Sequence, residues 1–157
     1  MFPCNVSITI PGPAGTLEAI TTCPTSTAIG TVVVCHPHPQ HGGTMHNKVV
    51  HMLARSFGEL GLRTVRFNFR GVGASHGEFG QGSGETEDVL AVLDWARAHE
   101  PEGQIWLAGF SFGAHMALRA AARLPVTRLI LVAPPVQHYP KLGPLPAPRV
   151  PILVLQG

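Results

Sequence analysis

Charge is scarce in this chain of 157 residues: Asp, Glu, Lys and Arg make up only 13% of it and leave a net charge of +2. The basic residues are scattered, so the sequence offers no footprint for nucleic acid or for an anionic membrane. No uninterrupted apolar run approaches the roughly 20 residues that span a bilayer. A basic stretch leading into an apolar one is missing from the N-terminus, so no secretory leader is visible. Cysteine is sparse as well. Cys4, Cys23 and Cys35 form an odd set with no C-x-x-C pair. That pattern favours a reducing compartment and small buried hydrophobes over a disulfide framework. Together these absences read as a soluble, cytoplasmic protein with no nucleic-acid or membrane partner. What is present is apolar: hydrophobic residues make up 45%, enough for a single domain over residues 1–157 with a sizeable core.

The apolar pattern changes period along the chain. Val6–Ile10 and Leu17–Thr21 alternate around a Pro/Gly segment, as in an antiparallel hairpin with one wet face. Thr31–Cys35 is a continuous apolar run, the signature of a strand buried on both faces. Residues 47–60 carry Val49, Met52, Leu53 and Phe57 at helical spacing, and Gly61 follows as a stop. Arg63–Asn68 reads as a strand. A glycine-rich loop then leads to a helix whose first turn holds Glu85, Glu87 and Asp88, suited to the positive end of its dipole. Val89, Val92, Leu93 and Ala96 form that helix's buried stripe. Arg128–Val132 is a further strand, prolines punctuate residues 134–151, and Ile152–Gly157 reads as another buried strand. Strands and helices alternate from Thr31 onward, which implies an α/β fold with a mostly parallel sheet and helices on both faces.

The most informative stretch is Gly109-Phe110-Ser111-Phe112-Gly113, a G-x-S-x-G pattern between the strand-like Gln104–Ala108 and the helix-forming Ala114–Ala122. Strand, sharp turn and helix present the Ser111 hydroxyl at the positive end of the helix. The flanking glycines avoid collision within so tight a turn. The alternative is a serine that merely caps the helix.

Ligands of an open parallel sheet bind beyond the carboxyl ends of its strands. Loops 36–46, 69–84 and 109–113 all leave from that edge. Acyl transfer needs backbone N–H groups aimed at a developing oxyanion. One falls to Phe112, the residue after Ser111. The other falls to the His36–Gly43 loop, where Pro37 and Pro39 have no N–H. His38 is then the nearest donor, with Gln40 as the fallback. The same loop allows a rival reading, since His36, His38 and His41 have the H-x-H-x-x-H spacing of a zinc motif. Gln40, however, stands where that motif has an aspartate. The glycines near Gly71 open no helix directly, which argues against a dinucleotide site. His115, four residues after Ser111, is an awkward base for it, and His76 and His138 lie in loops that could approach a site.

Taken together, Val34–Pro39 with Gly42-Gly43, Phe67–Ser75, Gly82–Glu85 and the 109–113 bend resemble the α/β-hydrolase superfamily, in particular its small lid-less bacterial serine hydrolases near the dienelactone-hydrolase and esterase groups. The resemblance implies Ser111 as nucleophile, the N–H groups of His38 and Phe112 as oxyanion hole, a small-molecule ester or thioester as substrate, and no metal or organic cofactor. It also implies a triad acid and histidine later in the chain than Ser111. Ile152–Gly157 resembles the strand that leads to the acid. The expectation is therefore a C-terminally incomplete domain lacking its last helix and strand, with an exposed apolar edge and little activity by itself. The proline-rich stretch is too short for a helical cap, so an open site is expected. A non-catalytic α/β-hydrolase-like binding protein is the alternative.

Overall fold

The structure, a computed structural model, describes residues 1–135 and 139–157. Its strands are β1 (Ser7–Gly12), β2 (Gly15–Thr22), β3 (Gly30–Cys35), β4 (Leu62–Phe67), β5 (Gln104–Phe110), β6 (Arg128–Val132) and β7 (Ile152–Leu155). Three helices are interleaved with them: α1 (Lys48–Glu59), α2 (Ser83–His99) and α3 (Phe112–Ala121). The sheet order is β1-β2-β4-β3-β5-β6-β7. β1, β2 and β4 pair antiparallel, and β4, β3, β5, β6 and β7 run parallel. The alternating α/β pattern is thus realised as a mostly parallel sheet with an antiparallel N-terminal hairpin. β3 has β4 on one side and β5 on the other, so the chain reverses direction across the sheet at β3. A crevice opens at such a switch point.

The alternation of β3 divides the core in two. Val33 and Cys35 face a larger core with α2 and α3, while Val32 and Val34 face a smaller one with Val50 and Phe57 of α1. The buried stripe of α2 is the expected one, with Val89, Val92, Leu93 and Ala96 all fully buried. The stripe of α1 is so only in part. Phe57 is buried and Leu53 packs against the smaller core as expected, but Val50 and Ala54 join them and Met52 is 55% exposed. Asn47 caps α1 by accepting from the N–H groups of Val49 and Val50, and this cap sets which face turns inward.

Three further expectations need correction. First, Cys4 and Cys23 form a disulfide with their Cα atoms 5.4 Å apart, leaving Cys35 as the free, buried thiol. An odd count hides one pair and one spare, and spacing alone could not show that the N-terminal arm lies beside the end of β2. The arm is held firmly: Phe2 is buried, its ring edge-on to Trp95 and covered by the Arg63 guanidinium. The cysteine argument for a reducing compartment therefore loses its basis. Second, the strands of the hairpin extend further than expected, to a tight turn in which Gly12 faces Gly15. Pro11 is tolerated because β1 is an edge strand. Third, β7 is not a buried strand. Ile152, Leu153, Val154 and Leu155 are between 43% and 54% exposed, because β7 pairs with β6 alone and an apolar run cannot report whether its faces are covered. No helix among the described residues is long and apolar enough to cross a membrane.

Candidate active site

The bend between β5 and α3 rests on one residue. Ser111 adopts φ 56° and ψ −117°, a conformation that costs a non-glycine residue energy unless its surroundings enforce it. They do so here. The Ser111 N–H donates to the Val132 carbonyl at 2.9 Å, and the Ser111 carbonyl accepts from the N–H groups of Ala114 and His115. A Cβ on Gly109 would run into the Gly113 carbonyl, and one on Gly113 into the carbonyls of Cys35 and His36. Both glycines are therefore required by close backbone approach. Ser111 stands at the N-cap position of α3, yet its side chain makes no capping hydrogen bond. The helix-cap reading thus fails, and the half-buried hydroxyl has no hydrogen-bond partner among the described residues.

The loop after β3 is anchored by His36, which is fully buried. Its Nε2 accepts the Phe69 N–H at 3.0 Å and its Nδ1 lies 2.7 Å from the Pro37 carbonyl. Since Nε2 accepts, the proton sits on Nδ1 and is donated to Pro37. Burial pushes the His36 pKa down to about 4, against the opposing pull of that carbonyl. Both nitrogens are spent, so His36 has none left for a metal and the H-x-H-x-x-H reading loses its first ligand. His38 and His41 stack on each other with ring centroids 4.2 Å apart. Among the described residues no group of three or more His, Cys, Asp or Glu could hold a metal ion.

His38 and Phe112 are brought together, their rings 4.8 Å apart. The Gln40 N–H donates to His38 Nδ1 at 3.1 Å, so the fallback donor is engaged. The N–H groups of His38 and Phe112 have no acceptor among the described residues. Desolvation lowers the His38 pKa, with His41 adding to the effect and Glu85 opposing it.

The glycine-rich loop after β4 is tied down by two carboxylates of α2, Glu85 in its first turn and Asp88, which the sequence also placed there but which lies beyond it because the helix already starts at Ser83. Glu85 accepts the N–H groups of Gly80 and Gly82, both at 2.8 Å. Asp88 accepts from Arg70 Nε and Nη2 and from the Arg70 N–H. Both carboxylates are buried, and Glu85 serves the helix end as well as the loop, since Gly82 is the N-cap of α2. Burial raises the Asp88 pKa, and the hydrogen bonds and charge of Arg70 oppose the rise. Ser75 joins the loop to the hairpin, donating to the Asn68 carbonyl and accepting the Glu18 N–H. His76 lies on the hairpin side, accepting the Thr16 N–H. His115 is buried, accepts from Arg119 Nε at 2.8 Å and meets Tyr139 edge-on. His138 lies outside the described residues.

A cleft of about 540 Å³ adjoins this site, lined by His38, Gln40, Phe79, Gln81, Tyr139 and Lys141 among others. Sequence reading missed Phe79, Gln81, Tyr139 and Lys141. Their only signal was polar or aromatic residues set among glycines and prolines, and the pairing of the two segments is visible only in three dimensions.

The chain matches the family model described as serine aminopeptidase, S33, over residues 27–157. It is similar to the solved structure of an α/β serine hydrolase homologue from Coxiella burnetii, with a TM-score of 0.93 and 49% identity over 100% of this chain and 76% of that one. It is also similar to a lid-less α/β serine hydrolase from Xanthomonas campestris, with a TM-score of 0.91 and 45% identity over 100% of this chain and 73% of that one. An uncharacterized protein of Rickettsia prowazekii is 39% identical over 153 residues, 93% of this chain and 63% of its own length. The chain therefore spans less than two thirds of that relative.

Proposed function

The chain belongs to the serine aminopeptidase (S33) family of α/β hydrolases, and from that membership we propose that it is a serine hydrolase cleaving carboxylic esters or thioesters through an acyl-enzyme on Ser111. The observation that carries this reading is the Ser111 conformation, φ 56° with a hydroxyl that caps nothing. A cap serine has no reason to bear such strain, whereas a nucleophile must stand clear of its own helix.

In the proposed reaction Ser111 Oγ attacks the acyl carbon and gives its proton to a general base. The carbonyl oxygen becomes an oxyanion facing the N–H groups of His38 and Phe112. Collapse of the tetrahedral intermediate expels the alcohol or thiol, which takes up the proton. Water then attacks the acyl-enzyme and releases the acid. The base and its orienting carboxylate have no hydrogen bond to Ser111 among the described residues. On this reading both follow Ser111 along the chain, as the order nucleophile, acid, histidine implies. The open surroundings suit short or exposed acyl groups.

The test is labelling with a fluorophosphonate, with the adduct located by mass spectrometry. The expected adduct is on Ser111, absent in Ser111→Ala, and forms faster in a chain carrying the additional length of the longer relatives. No adduct in either form would leave a non-catalytic binding protein. Hydrolysis abolished by chelators and restored by zinc would return the metal-dependent reading.

A further inference from the structure

The cleft beside Phe112 has an uneven charge. Its apolar wall is Phe79 and Tyr139, and its polar groups are the amides of Gln40 and Gln81, the His38 ring and the Lys141 ammonium. Among the described residues no carboxylate lines it. Glu85, whose charge is felt at His38, does not line the cleft and turns its oxygens to the Gly80 and Gly82 N–H groups. Lys48 and Lys141 are the only lysines in the sequence, and the cleft holds one of them.

Lys141 stands on a fixed backbone. Arg119 donates from Nη1 to the Leu142 carbonyl at 2.7 Å and from Nη2 to the Gly143 carbonyl at 2.9 Å, and it reaches His115 with Nε. The segment bearing Tyr139 and Lys141 is thereby clamped to α3. The ammonium donates to Gln81 Oε1 at 3.0 Å, which leaves two of its protons uncommitted. Gln81 itself holds φ 55°, a left-handed conformation in a residue other than glycine. Strain of this kind tends to cluster at ligand clamps.

We propose that this cleft is a substrate subsite in which Lys141, positioned by Gln81 and by the Arg119 clamp, selects esters whose apolar body carries a carboxylate. The inference rests on the reading of Ser111 and His38 as the reacting centre and adds the substrate class. A carboxylate matches the site better than a phosphate, since a single fixed cation balances a single negative charge. The apolar body lies against Phe79 and Tyr139, and the ester carbonyl lies at the His38 end.

The test measures binding, so it does not depend on turnover. The full chain is titrated with 4-phenylbutanoate and with its neutral amide, 4-phenylbutanamide, and followed by backbone amide NMR shifts. The expected result is shifts around Gln81 and Lys141, with the carboxylate bound about three- to five-fold more tightly, as for a partly exposed ion pair. The preference shrinks in half-molar salt, disappears in Lys141→Met and persists in Lys48→Met. Lys141 is exposed, and the amide spectrum reports whether each variant is folded. Equal affinities, no detectable binding, or a preference that survives Lys141→Met would overturn the proposal. Fluorophosphonate labelling of Ser111 without the preference rejects the subsite and leaves the hydrolase. The preference without labelling does the reverse.

Discussion

The His38 backbone has φ −52° and ψ 122°, values that proline adopts without strain. This allows a clean test of its N–H. His38→Pro removes the donor and keeps the loop's path, while His38→Ala keeps the donor and removes the ring. Loss of one oxyanion donor costs about 10²- to 10³-fold. A slowing of that size in the phosphonylation rate of Ser111 is expected for the proline variant and not for alanine. The neighbouring His36 governs acid stability. Its folded pKa of about 4 lies below the ordinary histidine value of 6.5, so the unfolded chain binds the extra proton first. The stabilisation is complete above pH 6.5 and is lost as the pH falls towards 4, amounting to about 3 kcal/mol at most. Urea midpoints measured across that window should fall with acid, and His36→Asn should flatten the slope at a lower plateau.

At the scale of elements, the loop after β4 is held to α2 by Glu85 and by one ion pair. The Arg70 and Asp88 side chains are 15% and 0% exposed. Asp88→Ala strands a partly buried guanidinium and is expected to cost about 3 kcal/mol. Replacing both partners with apolar residues of similar size should recover most of that in chemical denaturation. The sequence announced this helix and the place of Glu85 in its first turn correctly, but not that Asp88 lies beyond that turn and holds Arg70, because the partner is 18 residues away along the chain. The element order, the parallel pairing and the Ser111 bend were legible, since each rests on local periodicity or on glycines at fixed offsets. The rest of the α1 stripe, the exposed faces of β7 and the Lys141–Gln81 pair were not. Each depends on what another part of the chain brings alongside.

For the whole molecule, the Cys4–Cys23 bridge closes the N-terminal arm across a separation of 19 residues. Chain-entropy reasoning gives about 3 kcal/mol for a loop of that size. Reduction should lower the unfolding midpoint accordingly, and a Cys4→Ser, Cys23→Ser double variant should reproduce the loss and become insensitive to reductant. With the bridge intact, Cys35 is the one remaining thiol. It is buried, burial pushes its pKa up, and it sits on β3 directly opposite Gly109 of β5. Its side chain packs in the core that α3 covers, and its carbonyl lies against Gly113, so a thiol-reactive dye reaches it when that packing opens, which also loosens the Ser111 bend. The molecule thus carries its own stopwatch: the pace of dye uptake at Cys35 counts how often the Ser111 bend comes undone.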